Sequence, residues 1–394
     1  MVNLSRREFL GTLPAIAMVP SLDDPPVRPG RWTAAPAPRI PVAGASAMRT
    51  GKTAALIGGF TERLEATAAI QVRDPRLGWL PVGNALLEAR AEATTIALDE
   101  ERILVIGGWS GKLPNERVVS RTAEICEPRR PDRRLQTPSP FGDPTRPLDG
   151  VTVTGLPGGR VLAVLDDQVA IYDPKTNRWA NHRCLASRRR GARATSLGSG
   201  GREDLLDIVL VVGGHQQGQA AIEAVEIPRS GPPRAHPWSN DDLPVVRDVA
   251  LARTKPGTIV LAGGLVGRSS TAGTWRLDLR SESVVAGPML PIEGGVTGAR
   301  MFQRGRRVLL LGGETRTSGG PRPARGLVLD PDSGRVLLLP AAPHPSVRAS
   351  VIDSAGGYLF TGGYRFDGTA PRGSRTQVLS TADLLTIPSI VVAD

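Results

Sequence analysis

Short apolar runs that stop at a glycine pair set the rhythm of this chain. They read ALIGGF, LVIGGW, LVVGGH, VLAGGL, LLLGGE and LFTGGY, with first glycines at 58, 107, 213, 263, 312 and 362. The steps between them are 49, 106, 50, 49 and 50 residues, so the second interval hides one copy. Its midpoint falls near residue 160, where RVLAVLDDQVAIYDPKTNRW (160–179) runs through an apolar stretch, a polar turn, a second strand-like stretch, Asp-Pro and Trp. This copy replaces the glycine pair with Val164-Leu165 or Leu165-Asp166 and leaves almost no loop. It predicts a notch with Asp166 and Asp167 at its floor. Seven units follow.

Each unit reads as four short strands. Strand a alternates, as in TTIAL; strand b is the apolar run before Gly-Gly. A variable loop leads to strand c, as in AIYDP at 170–174 or GLVLDP at 326–331, and strand d carries Trp or its replacement. A glycine fits where crowded strands leave no room for a Cβ, or where the chain needs a left-handed turn. One small sheet cannot bury both faces, but sheets packed radially against neighbours can. The expectation is an all-β fold with four antiparallel strands per unit. Trp32, in GRWTAAPAP, sits like a strand d ahead of the first unit. Residues 30–36 are therefore expected to complete the last sheet beside SRTQVLS (374–380), with SIVVAD (389–394) as the alternative closing strand.

A period near 50 with Gly-Gly, then an aromatic or aliphatic residue before Asp-Pro, then Trp, resembles the kelch repeat. The resemblance covers nearly all of the chain after residue 30. It implies a seven-bladed kelch-type β-propeller over 29–394, of the galactose oxidase-like class. It also implies that the b–c and d–a loops surround one mouth of a central channel. On that reading the b–c loops begin with Phe60, Trp109, Asp166, His215, Leu265, Glu314 and Tyr364. The d–a loops carry Arg90, Asp149, Arg190, Arg193, Arg247, Asp248 and Arg348. Arg forks grip carboxylates and aromatic faces stack on sugar rings. The expected ligand-binding set is Arg90, Trp109, Asp166, Arg193, His215, Arg247, Glu314, Arg348 and Tyr364. The partner is a protein, or a carbohydrate or acidic ligand.

Catalysis stays open at this level. Copper radical oxidation, the chemistry of galactose oxidase, needs two His, two Tyr and a Cys coupled to one Tyr. No paired His motif offers it among the four His and three Tyr, so no metal and no cofactor are expected. Sugar isomerisation is the other enzymatic reading, by resemblance to exported kelch proteins similar to N-acetylneuraminate epimerase. There Glu314 would act as base with Arg348 as carboxylate clamp, and His215 is the second catalytic candidate. The Ser-x-Asp-x-Gly-x-Thr-Trp box of sialidases is missing, since STAGTW (270–275) lacks its Asp. RTGKT (49–53) is a turn without the upstream Gly of a phosphate loop, and GREDLLDIV (201–209) reads as an insertion before the fourth strand b.

Composition narrows the class further. Hydrophobic residues make up 40% and aromatics 4%, so the core must rest on aliphatic side chains. The 46 Gly and 35 Pro argue against long helices. Net charge is +11, nearly all from Arg spread along the chain, and no aromatic residues interleave the Arg188–Arg190 cluster; a nucleic-acid partner is not expected. Two cysteines, Cys126 and Cys184, exclude a disulfide scaffold and leave open whether they pair. Ser5-Arg6-Arg7-Glu8-Phe9-Leu10 resembles the twin-arginine export motif, and an apolar stretch and Ala15-Ile16-Ala17 follow it. Residues 1–28 are expected to be a signal peptide. The protein would be exported to the periplasm or outside the cell as a monomer with no membrane span.

Overall fold

The computed structural model describes residues 30–387 except 114, 131, 215–218, 240–242, 256, 318–319, 355 and 367–375. The expected leader at 1–28, His215 and SIVVAD lie outside these residues.

Among the described residues, seven four-stranded antiparallel sheets dominate. Their a strands are Ser46–Thr50, Thr94–Ala97, Thr152–Gly155, Arg193–Ser196, Ala250–Lys255, Arg300–Arg304 and Ser350–Ser354. The b strands Ile103–Ile106, Val161–Leu165 and Thr258–Ala262 are buried at every position. That explains why the b strands read as unbroken apolar runs rather than as alternation. Each lies inside its sheet with both faces covered by neighbouring sheets.

The apolar cores lie between sheets. Leu104 and Ile125 of sheet 2 meet Ala163 and Tyr172 of sheet 3, and equivalent cores join 1 to 2, 3 to 4, 4 to 5, 5 to 6 and 6 to 7. A further core sets Leu56 and Trp79 of sheet 1 against Ile352 and Leu359 of sheet 7. No sheet among the seven holds its core alone.

The glycine pairs are latches between sheets. Gly59 N–H donates to the carbonyl of Arg90 in the next unit, Gly214 to Val246, Gly264 to Val296 and Gly363 to Val42, at 2.7–3.0 Å. A Cβ on the first glycine would stand 2.0 Å from the same carbonyl at Gly58 and at Gly362. Both first glycines are left-handed (φ +62° and +66°), so space and backbone geometry exclude a side chain together. In sheet 3, strand b ends at Leu165, so Asp166-Asp167 hold the latch position, one residue beyond the alignment expected from the sequence. Asp166 takes the same left-handed conformation (φ +52°), which Asp tolerates better than most residues. Strand c begins at Gln168, so a two-residue turn joins it to strand b.

Sheet 7 is assembled from distant parts of the chain. Its strand c is Ala382–Thr386 and its strand d is Arg31–Ala34, with Trp32 opposite Leu385. The 30–36 segment does supply a strand of this last sheet, through Arg31–Ala34, but its partner is not the expected 374–380 segment. Thr376–Val378 pairs instead with Tyr364–Phe366 in a hairpin of its own. Trp32 is fixed there by Nε1–H donating to the Pro340 carbonyl at 2.9 Å and by an edge contact with Phe360. The 201–209 insertion is half turn and half strand, because strand b of sheet 4 (Leu205–Val212) starts within it.

Both cysteines are free thiols. Burial pushes the Cys126 thiol up to about 12, with the Glu124 charge adding to it. Cys184 is pushed up to about 11, again by burial first and then by Glu223. Raised values keep the unreactive protonated form at pH 8. Without reductant, Ellman's reagent is expected to count two thiols after guanidinium unfolding and to react many-fold more slowly with the folded protein. Fast reaction at pH 8, or a count of zero, would contradict this placement.

Candidate functional site

Two residues before every strand a, the chain turns left-handed. The seven positions are Gly44, Glu92, Gly150, Gly191, Asp248, Gly298 and Arg348, with φ between +54° and +72°. Four glycines take this conformation readily; the three charged residues hold it at a cost of about 1–2 kcal/mol each. Their backbones form a collar. Gly44 N–H donates to Arg348 O, Glu92 to Gly44, Gly191 to Gly150 and Asp248 to Gly191, at 2.7–3.1 Å. Side chains at the charged positions therefore stand where chain direction and neighbour are both fixed.

The collar rims a cavity of about 880 Å3 to which all seven sheets contribute. Its described lining holds seven arginines (117, 190, 193, 247, 300, 316 and 348) against four carboxylates (Glu92, Asp149, Asp248 and Glu314). Several are paired. Arg348 is ion-paired with Glu92 across Gly44, where a side chain would collide with Glu92. Arg190 meets Asp149 at 3.1 Å, and Arg316 meets Glu314 at 2.8 Å. The Arg117 guanidinium lies 4.2 Å over the Trp109 ring. Arg247 holds the Gly267 carbonyl at 3.1 Å and stays exposed. A second depression of about 530 Å3 on the a–b and c–d turns touches sheets 1 and 2 only, and mixes Lys52, Arg129 and Arg130 with Glu100, Glu101 and Glu127.

Of the residues expected at the site, Trp109, Arg193, Arg247, Glu314 and Arg348 line the cavity. Asp166 lies beside it, held by Arg146 at 2.8 Å, with Arg190 at 3.8 Å. Arg90 and Tyr364 must be withdrawn. Arg90 is 1% exposed and spends its donors on Gly107 O, Thr122 O and the carboxylates of Glu88 and Glu124. It occupies a buried position four residues before strand a, where sheets 1, 3, 5 and 6 place Val42, Leu148, Val246 and Val296. Arg189 holds the same position in sheet 4, bound to Glu223 at 2.6 Å and to the Gly213 and Ala221 carbonyls. A glutamate on strand c is the sequence signal for both. Tyr364 packs behind the cavity wall against Phe60 and Val347, and burial pushes its hydroxyl up to about 12, against the pull of Arg348 and Arg117.

Sequence reasoning missed Glu92, Arg117, Arg300 and Arg316. Glu92 and Arg300 are found by counting from strand a: the first is a collar residue and the second opens a strand. No local signal marks Arg117 or Arg316.

No family model and no curated protein sequence matches the chain. Solved structures do match in fold. The structure of YjhT superposes with TM-score 0.54 at 12% identity, covering 78% of this chain and all of that one. A fungal alcohol oxidase of the AA5 family, in complex with copper, superposes with TM-score 0.66 at 14% identity, covering 92% of this chain and 77% of that one. With the repeating four-stranded sheets, these likenesses identify the fold as a β-propeller of the kelch and galactose oxidase-like kind.

The described residues do not fit a copper centre. Tyr172, Tyr358 and Tyr364 are packed in apolar cores. His182 and His236 lie on outer d strands, and His344 pairs with Asp383 at 3.0 Å. Among the described residues, no group of His, Cys, Asp and Glu converges as a metal-ligand set.

Proposed function

We propose that the seven sheets close into one seven-bladed propeller, and that its cavity binds a small anionic, hydroxyl-bearing ligand of the sugar-acid class. Closure is supported by the apolar core between sheets 7 and 1, by the Gly363–Val42 latch and by the Gly44–Arg348 collar bond. The ligand class rests on one observation: seven arginines face four carboxylates in a concave site of about 880 Å3. A cup of that size suits a small molecule better than the flat face of a protein. Arginine supplies the two-pronged contact that a carboxylate takes, and Trp109 offers an apolar face for a sugar ring.

The enzymatic form of this reading is an isomerase or mutarotase. Glu314 favours it, since the residue is 6% exposed and stands on the cavity wall beside Arg316. A base in that position can take a proton from a bound sugar and return it. Export through the 1–28 leader would set the site in the periplasm or outside the cell.

Calorimetric titration with D-glucuronate and D-glucose tests the proposal. Glucuronate is expected to bind at least about tenfold tighter, the scale of one charge-assisted hydrogen bond. Arg247→Gln should weaken glucuronate and leave glucose unchanged. Equal affinities for the two sugars, or an Arg247→Gln variant that binds like the parent, would sink it. Glu314→Gln separates the two forms, because it should abolish anomer interconversion followed by NMR while ligand still binds.

A further inference from the structure

We infer that Arg193 and Arg300 form an oxyanion subsite in the bore of the cavity, one that takes the carboxylate of the ligand. The inference rests on the cavity as the ligand site and adds where the charged group goes.

The first residue of strand a lines the cavity in sheets 1, 2, 4, 6 and 7. In sheets 2 and 7 it is Thr94 or Ser350, whose hydroxyl donates to the Val151 or Ala45 carbonyl of the following unit at 2.8–3.0 Å. Ser46 does the same to Ala93. Arg193 makes this link with Nε–H to Val249 O at 3.0 Å, so its two terminal nitrogens are not needed for it. Arg300 gives Nη1 to Val351 O and to Ala47 O at 2.8 and 2.9 Å, so its side chain crosses sheet 7 to reach sheet 1. Between the two arginine sheets, Ala250 of sheet 5 at the same register is packed in the apolar core against sheet 6 and does not line the cavity.

Among the described residues, neither arginine is ion-paired. Of the nearby carboxylates, Glu92, Asp149 and Glu314 are paired with Arg348, Arg190 and Arg316. Asp248 sits at collar level and pairs with neither. Arg300 is open to the solvent of the bore, yet the protein walls crowded around it desolvate the guanidinium, and that, followed by the charge of Arg193, holds it below its ordinary pKa. Two cations that repel each other inside protein walls make a site that an anion relieves. Both also keep donors for a planar carboxylate.

Acetate is the probe, because it carries the group and nothing that reaches the rim. At constant ionic strength, acetate is expected to raise the melting temperature of the parent protein in a saturable way. Arg193→Gln should remove that response and weaken glucuronate at least about tenfold, with glucose unaffected. A parent protein indifferent to acetate, or an Arg193→Gln variant with the parental acetate response, overturns the subsite. If that response is lost in the variant but glucuronate binds no better than acetate, the subsite stands and the sugar-acid reading falls.

Discussion

Arg189→Ala is expected to cost about 3–5 kcal/mol of folding free energy, the usual scale for stripping one partner from a buried ion pair. The side chain is fully buried and five of its hydrogen bonds run to Glu223, Gly213, Ala220 and Ala221. Burial holds its pKa below the ordinary value, while the Glu223 charge opposes that shift. Alanine would leave the Glu223 carboxylate charged and enclosed, with Ser187 and the Ala186 N–H as its remaining partners. It would also take a donor from the Gly213, Ala220 and Ala221 carbonyls. A double change, Arg189→Met with Glu223→Leu, should recover most of the loss, because apolar side chains already fill this position in sheets 1, 3, 5 and 6. Urea unfolding of the three variants measures it. A loss under about 1 kcal/mol for Arg189→Ala would mean that the pair does not carry the packing assigned to it.

Gly362→Ala should do more damage still. The added carbon would stand 2.0 Å from the Val42 carbonyl oxygen, a backbone atom that cannot rotate away. Relief requires sheet 1 to part from sheet 7, with loss of the Gly363 bond to Val42 and of the core around Trp79 and Leu359. The expected result is a loss above about 4 kcal/mol or a failure to fold, with association through newly exposed strand edges visible in size-exclusion chromatography. Gly267→Ala is the control. It shares the left-handed backbone (φ +63°) but would meet nothing within 4 Å. That variant should lose only about 1 kcal/mol, the cost of a methyl at positive φ. If the two variants lose the same amount, the damage comes from the backbone angle and the latch is not the cause.

The glycine pairs announced the architecture because their constraint is local: at the first glycine of five pairs a carbonyl from the next sheet fills the space of the side chain. Six copies survive, and the seventh could be placed because spacing continued through it. The collar escaped notice for the opposite reason. Glu92, Asp248 and Arg348 occupy left-handed positions that four siblings fill with glycine, so no residue type repeats there. Arg90 was misread because charge in a loop suggests exposure. Only the glutamate on the neighbouring strand, Glu124, tells that the arginine turns inward. In the last sheet, the sequence offered 374–380 and 389–394 as candidate strands, whereas Ala382–Thr386 pairs with Arg31–Ala34 through contacts no local pattern records. Nine of the residues that line the cavity, Arg193, Arg247, Glu314 and Arg348 among them, were legible from loop position, whereas Arg300 lies within a strand and was hidden by its regular surroundings.

The closing strand also sets an order in time. Thr33 and Leu384 touch although 351 positions separate them, while the other six sheets are built from neighbours along the chain. Six sheets can therefore assemble as synthesis proceeds, and the seventh must wait, keeping the early Arg31–Ala34 segment unmatched until its partner emerges. The entropy of joining such remote segments is met once, at the end, when nearly every other contact already holds them close. In the closed propeller proposed above, this pairing acts as a checkpoint on completeness. A nascent chain that stops short of Ala382 keeps an open seam beside Gly357–Thr361, the kind of edge that quality-control proteases and neighbouring chains find first.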